Sequence, residues 1–326
     1  MGEARKKAEH IKRNPCVCRS GVAAQDCCYR DGTWRKNSAR VALAAMPPKE
    51  SEPKCYMREL GSCGGGISGE HLVSKAVLQV ISEGGNTILV RGAHWQKDDK
   101  FKAVGIEGLT ANCLCRDHNS ALSGLDTAAA KFCADLRSAL DEVGTGRHYI
   151  ASGHDIERWL LKCLKAMAVS GNLRIAGIDQ NEELNEFVPA IDIIRLLDDP
   201  ASWPASAGLY CESTGGVRTA TWNEFQLQPI PSMDNQLCGV RVEYCGLKFA
   251  LMLLPLLHQS KIEPLRDAVY RPGQLQFDFP NGRRTIDLSW EDGRQHPQGI
   301  NGKFLGSITE GIDSAGRRFY VDPSAR

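Results

Sequence analysis

The chain of 326 residues has no internal repeat and no low-complexity tract. Its net charge is only +1, so no global basic field announces a nucleic-acid partner. Residues 1–13 are polar and lack the apolar central region of a secretory signal peptide. The longest apolar run, Phe249–Leu257, is too short to span a bilayer and contains Pro255. These absences lead to the expectation of a cytoplasmic protein.

What is present is ordinary in bulk and unusual in detail. Hydrophobic residues make up 42% and charged residues 24%, typical of a soluble globular chain. The length suits about two domains. Charge is unevenly spread: residues 1–54 hold 12 Lys+Arg against 6 Asp+Glu, a local +6, which leaves −5 for the rest. Such a basic arm can touch phosphates, or it can be a solvated tail. Eight of the 13 cysteines precede residue 116, in tight spacings. Cys133, Cys163, Cys211, Cys238 and Cys245 are scattered among apolar neighbours. Without secretion, the clustered cysteines read as metal ligands and the scattered ones as buried thiols.

Periodicity sketches the elements. Apolar spacing predicts helices over His71–Ile81, Ala121–Leu140 and Ile156–Ser170. Asn86–Arg91 and Leu109–Leu114 read as strands. After residue 200, strands are expected at Gly208–Ser213, Thr219–Leu227, Cys238–Leu253, Leu275–Phe279 and Thr285–Trp290. The expected fold is α+β. It has a basic segment over 1–45, a small metal-stapled domain over 54–145, and an α+β accessory region of unknown role over 150–326.

The first cysteine group is Cys16, Cys18, Cys27 and Cys28, spaced C-x-C-x8-C-C with Gly21 at the return of the chain. Four thiolates in so short a segment suit one tetrahedral Zn²⁺, and metal binding would supply the folding energy. This segment resembles the SEC-C zinc motif, although Val17 and Arg19 stand where that motif has proline and glycine. The resemblance implies a docking module, for a protein partner or nucleic acid.

The second group is split. Cys55 and Cys63 lie ahead of Glu70-His71, and Cys115 and His118 lie behind it, with Asn119 directly after the last ligand. Cys113 shares a strand face with Cys115 and competes with it as a ligand. Cys115 is preferred because Cys115-x2-His118 has the knuckle spacing. In order and polarity the stretch from Cys55 to Leu140 resembles the HNH, or ββα-metal, endonucleases, in the branch where zinc staples the fold.

That resemblance implies a zinc-stapled ββα-metal domain that hydrolyses DNA phosphodiester bonds. His71 would be the general base. Glu70 would ligate a catalytic Mg²⁺ or Mn²⁺, and Asn119 would either ligate that ion or hold the loop. Asp126 stands nearest the place of the terminal histidine of many family members. The resemblance also implies a setting in a mobile element or in defence against phage. Two other readings stand beside it: an HNH-type ribonuclease, and a non-catalytic zinc module that docks to nucleic acid or protein. The stretch Arg91, His94, Trp95, Lys97, Lys100 and Lys102 is a further candidate phosphate contact.

Overall fold

The computed structural model describes residues 9, 11–18, 20–35, 41, 43, 46, 47, 49, 51–90, 102–141, 148–172, 192–212, 219–221, 225–231, 237–245, 247–253, 268–279, 282–294, 299–303, 309–312 and 318–321. They form a mixed α+β fold with several small sheets and few helices. Among them, no helix is long and apolar enough to cross a membrane.

The N-terminal half runs as follows. A hairpin of β1 (Tyr29–Arg30) and β2 (Thr33–Trp34) comes first. Then come β3 (Ile67–His71), α1 (Lys75–Ile81), β4 (Thr87–Val90), β5 (Lys102–Gly105), β6 (Thr110–Cys115) and α2 (Arg116–Asp141). β3 and β6 pair antiparallel, as do β4 and β5. α2 follows β6 with no intervening loop. The stripe Leu122, Leu125, Ala129, Phe132, Leu136 and Leu140 is buried, as an amphipathic period requires.

The helix expected from His71 starts only at Lys75. His71 instead closes β3, opposite Thr110. The apolar period alone could not place that boundary, because the β3–β6 ladder claims the backbone of residues 67–71.

β7 (His148–Ser152) leads into α3 (Gly153–Val169), and α4 (Ile193–Asp198) follows. α3 is buried along nearly all of its first four turns, which makes it the central strut of the molecule. Ser152 caps it by accepting from the Asp155 N–H at 3.2 Å. Gly153 is required there, since a Cβ would come within 2.3 Å of the Trp290 ring.

The remaining elements are strands: β8 (Gly208–Glu212), β9 (Thr219–Thr221), β10 (Phe225–Pro231), β11 (Leu237–Tyr244), β12 (Leu247–Met252), β13 (Ala268–Tyr270), β14 (Gln274–Phe279), β15 (Gly282–Ser289), β16 (Ile300–Lys303), β17 (Thr309–Ile312) and β18 (Arg318–Val321). One five-stranded sheet is ordered β10-β11-β12-β8-β13, and a four-stranded sheet is ordered β16-β14-β15-β7. β7 pairs with β15 in parallel, so the segment just before α3 belongs to a C-terminal sheet. The single strand expected over Cys238–Leu253 is two, because Cys245 adopts φ 52° and turns the chain so that Tyr244 faces Leu247. One apolar core runs from Val41 through α2 and α3 to Ile300, and a smaller cluster gathers Tyr210, Ile230, Cys238, Ala250 and Met252.

Candidate metal centres and candidate active site

The first cysteine group closes as its spacing implies. Gly21 (φ 76°) reverses the chain, Pro15 bridges to Ala23, and the Cys16 N–H donates to the Val22 carbonyl at 2.8 Å. The sulfurs of Cys16, Cys18, Cys27 and Cys28 all lie within 4.8 Å of one another. Cys18 and Cys27 Sγ are 3.4 Å apart, and Cys27 and Cys28 Sγ are 3.7 Å apart. A tetrahedron with Zn–S bonds of about 2.3 Å has edges of roughly 3.8 Å, so the donors fit one ion.

The second group also closes. Cys55, Cys63, Cys115 and His118 are buried and offer donor atoms within 4.8 Å of one another. His118 Nδ1 stands 3.4 Å from Cys55 Sγ, 3.8 Å from Cys63 Sγ and 3.1 Å from Cys115 Sγ, so it is the nitrogen that would ligate an ion held there. The other ring nitrogen, Nε2, is 3.0 Å from Ser62 Oγ, a contact that orients the ring from outside the ligand set. Burial lowers the pKa of His118 and favours the neutral imidazole that a ligand must be. Cys113 is outside the set. Burial, with the Glu70 charge adding, pushes its thiol up to about 12.

The glycine run explains how Cys63 reaches the start of α2. Gly65 and Gly66 have φ of 73° and 70°, and a Cβ on Gly64 would stand 2.2 Å from Asp117 Oδ2. The Arg116 N–H donates to the Gly66 carbonyl at 2.9 Å, and Lys49 pairs with Asp117 at 2.6 Å. The first turn of α2 is thereby clamped against the loop that carries Cys63.

The expected working residues divide between two places. Glu70 is buried beneath β3, and its Oε1 lies 2.7 Å from Lys162 Nζ. Asp126 on α2 meets the same Nζ at 2.6 Å. Ser74 Oγ donates to Asp126 at 2.5 Å and accepts from Trp159 Nε1 at 2.6 Å. Burial raises the Glu70 pKa, with Lys162 pulling against it. Burial also disfavours the Lys162 charge, but Glu70 and Asp126 outweigh that cost and hold its pKa above the usual lysine value.

His71 and Asn119 make no hydrogen bond or ion pair with this cluster among the described residues. Asn119 Nδ2 donates to Ser68 Oγ at 3.2 Å, and Ser68 donates onward to the Leu114 carbonyl at 3.1 Å. Asn119 thus ties α2 to the β3–β6 hairpin. The His71 side chain is 17% exposed, with Nε2 3.8 Å from Glu107 Oε2. That nitrogen is shielded from solvent and has no hydrogen-bond partner among the described residues. Burial lowers the His71 pKa, opposed by Glu107, so the ring is neutral near pH 7. Of the basic-aromatic stretch at 91–102, all but Lys102 lies outside the described residues.

The Mg²⁺ or Mn²⁺ expected on Glu70, Asn119 and Asp126 does not fit these residues as they stand. Asn119 is turned toward Ser68 through its Nδ2 and makes no hydrogen bond with the cluster among the described residues, and the two carboxylates already share an ammonium. Sequence reasoning missed Lys162, whose only sign was a lysine between the apolar residues Trp159, Leu160, Leu161 and Cys163 of the helix pattern.

Comparison with protein families, curated proteins and solved structures returns no match to this chain.

Proposed function

We propose that the chain hydrolyses phosphodiester bonds in nucleic acid, DNA foremost, with His71 as the proton acceptor for the attacking water. The observation that carries this reading is the state of His71 Nε2. A shielded ring nitrogen with no hydrogen-bond partner among the described residues costs about 1–3 kcal/mol, and such a group calls for a functional explanation. The ring is neutral, as a base must be before it takes a proton. It ends a strand of a β3–β6–α2 unit whose four buried donors could hold one metal ion, and the HNH resemblance rests on the order of these residues in the sequence. Lys75 and Glu107 form an exposed ion pair beside it, with side chains 47% and 72% exposed.

A cleft of about 640 Å³ beside β6, which His71 does not line, offers positive charge for a polyanion. Lys54, Arg58 and Lys165 line it, with Glu59 as the opposing charge. One observation favours a second reading, a non-catalytic docking scaffold: Glu70, the expected metal ligand, is spent on Lys162.

The test is nicking of supercoiled plasmid, with structured RNA offered in parallel, with and without added divalent ions. Wild type is expected to cleave, and His71→Ala to lose roughly 100- to 10,000-fold, the usual contribution of a general base. Equal cleavage by His71→Ala overturns the assignment. Cleavage of RNA alone identifies a ribonuclease. Cleavage of neither, by zinc-loaded protein, leaves the docking scaffold.

A further inference from the structure

The Glu70–Lys162–Asp126 cluster is assembled from three elements: β3, α3 and α2. Its ammonium lies 2.7 Å and 2.6 Å from one oxygen of each carboxylate. A small divalent ion bridging the same two oxygens at about 2.0–2.2 Å would overlap that nitrogen. The second Asp126 oxygen is already taken by Ser74. Mg²⁺ keeps several waters when bound, and the Glu70 and Lys162 side chains are each only 3% exposed, so the cluster has little room for them. Charge points the same way. Two carboxylates and one ammonium sum to −1, and a divalent ion added beside Lys162 would leave a buried +1.

We propose that Lys162 is the resident cation of this pocket and that it and a divalent metal ion are mutually exclusive occupants of the Glu70/Asp126 pair. The lysine is built into the central helix, where the ring of Trp159 and the hydroxyl of Ser74 set the position of Asp126. A metal ion enters only if the ammonium leaves. Removing that one ammonium converts a closed ion-pair cluster into a two-carboxylate metal site. The inference does not rest on the hydrolysis proposed above, and its test reads metal uptake rather than cleavage.

The experiment is a Mn²⁺ titration of the zinc-loaded full chain, followed by electron paramagnetic resonance of the free ion. Compared are wild type, Lys162→Met and Lys162→Met/Asp126→Asn. Lys162→Met is expected to bind one Mn²⁺ at least about 10-fold more tightly than wild type does, a gain of about 1.4 kcal/mol. The double variant is expected to lose that site. Equal Mn²⁺ affinity in wild type and in folded, zinc-loaded Lys162→Met overturns the inference. If Lys162→Met does not fold, wild type and Glu70→Gln decide it. One tight Mn²⁺ in wild type that Glu70→Gln abolishes overturns the proposal, and no such site in wild type upholds it.

Discussion

Replacing Glu157 by glutamine is expected to loosen the joint between the central helix α3 and the C-terminal sheets. Glu157 is fully buried, and its carboxylate serves four groups. Oε1 accepts from the Leu209 N–H at 2.7 Å and from Arg271 Nε at 2.7 Å. Oε2 accepts from Arg271 Nη2 at 2.8 Å and lies 3.4 Å from His154 Nδ1. A glutamine keeps the two bonds at the oxygen position but turns an amide NH₂ toward Arg271 and His154, which are donors. Arg271 then retains Asp292 and the rings of Tyr270 and Trp290, centred 5.3 Å and 5.1 Å from its guanidinium carbon. Breaking one partner of a buried ion pair typically costs about 3–5 kcal/mol, and the surviving Asp292 contact argues for the lower half of that range. In a chain of this size the loss is roughly 5–10 °C in Tm. Thermal melts of wild type and Glu157→Gln, with hydrogen exchange at the Leu209 amide, measure it. A destabilisation under about 1 kcal/mol, or an unchanged Leu209 exchange rate, refutes the view that this network locks α3. A Glu157→Leu/Arg271→Met pair should recover much of the loss, since it leaves no buried charge orphaned.

Two further outcomes are expected. The purified chain should carry two zinc ions, and Ser62→Ala, which strips the His118 ring of its outer contact, should weaken the second site about 10- to 100-fold in a chelator competition while leaving the first unchanged. Stability should also decline as pH rises above about 6.5. Burial disfavours charge on His154, but the carboxylates of Asp292 and Glu157 outweigh it and raise its pKa above the ordinary 6.5, so its contribution is full below that value and is lost as pH climbs through the folded-state pKa. Urea midpoints from pH 6 to 8 measure this slope, and His154→Gln should flatten it; an unchanged slope in that variant would refute the assignment.

Much of the candidate site could be read from residue order. The two ligand groups close with the members that their spacings indicate, and Cys115 rather than Cys113 completes the second. Knuckle chemistry is local in the first group, where thiols and a turning glycine bring the donors together within a short segment; in the second, the β3–β6 pairing brings Cys63 to Cys115 and His118. The apolar stripe of α2 was equally legible, since a 3.6-residue period is a property of the segment itself. The start of α1 was not, because residues 67–71 pair with the distant β6, and the turn at Cys245 was not, because a cysteine at positive φ carries no turn signal in the sequence.

Residue order alone thus marks the two donor groups that could hold metal and the acid-histidine pair between the halves of the second. What Glu70 and Asp126 touch follows from the three-dimensional packing. Their partner, Lys162, arrives on a helix that follows β7, the strand that joins the C-terminal sheet. No spacing rule links residue 70 to residue 162. The contact exists because burying α3 on nearly all sides forces its one central lysine toward the carboxylates that can neutralise it.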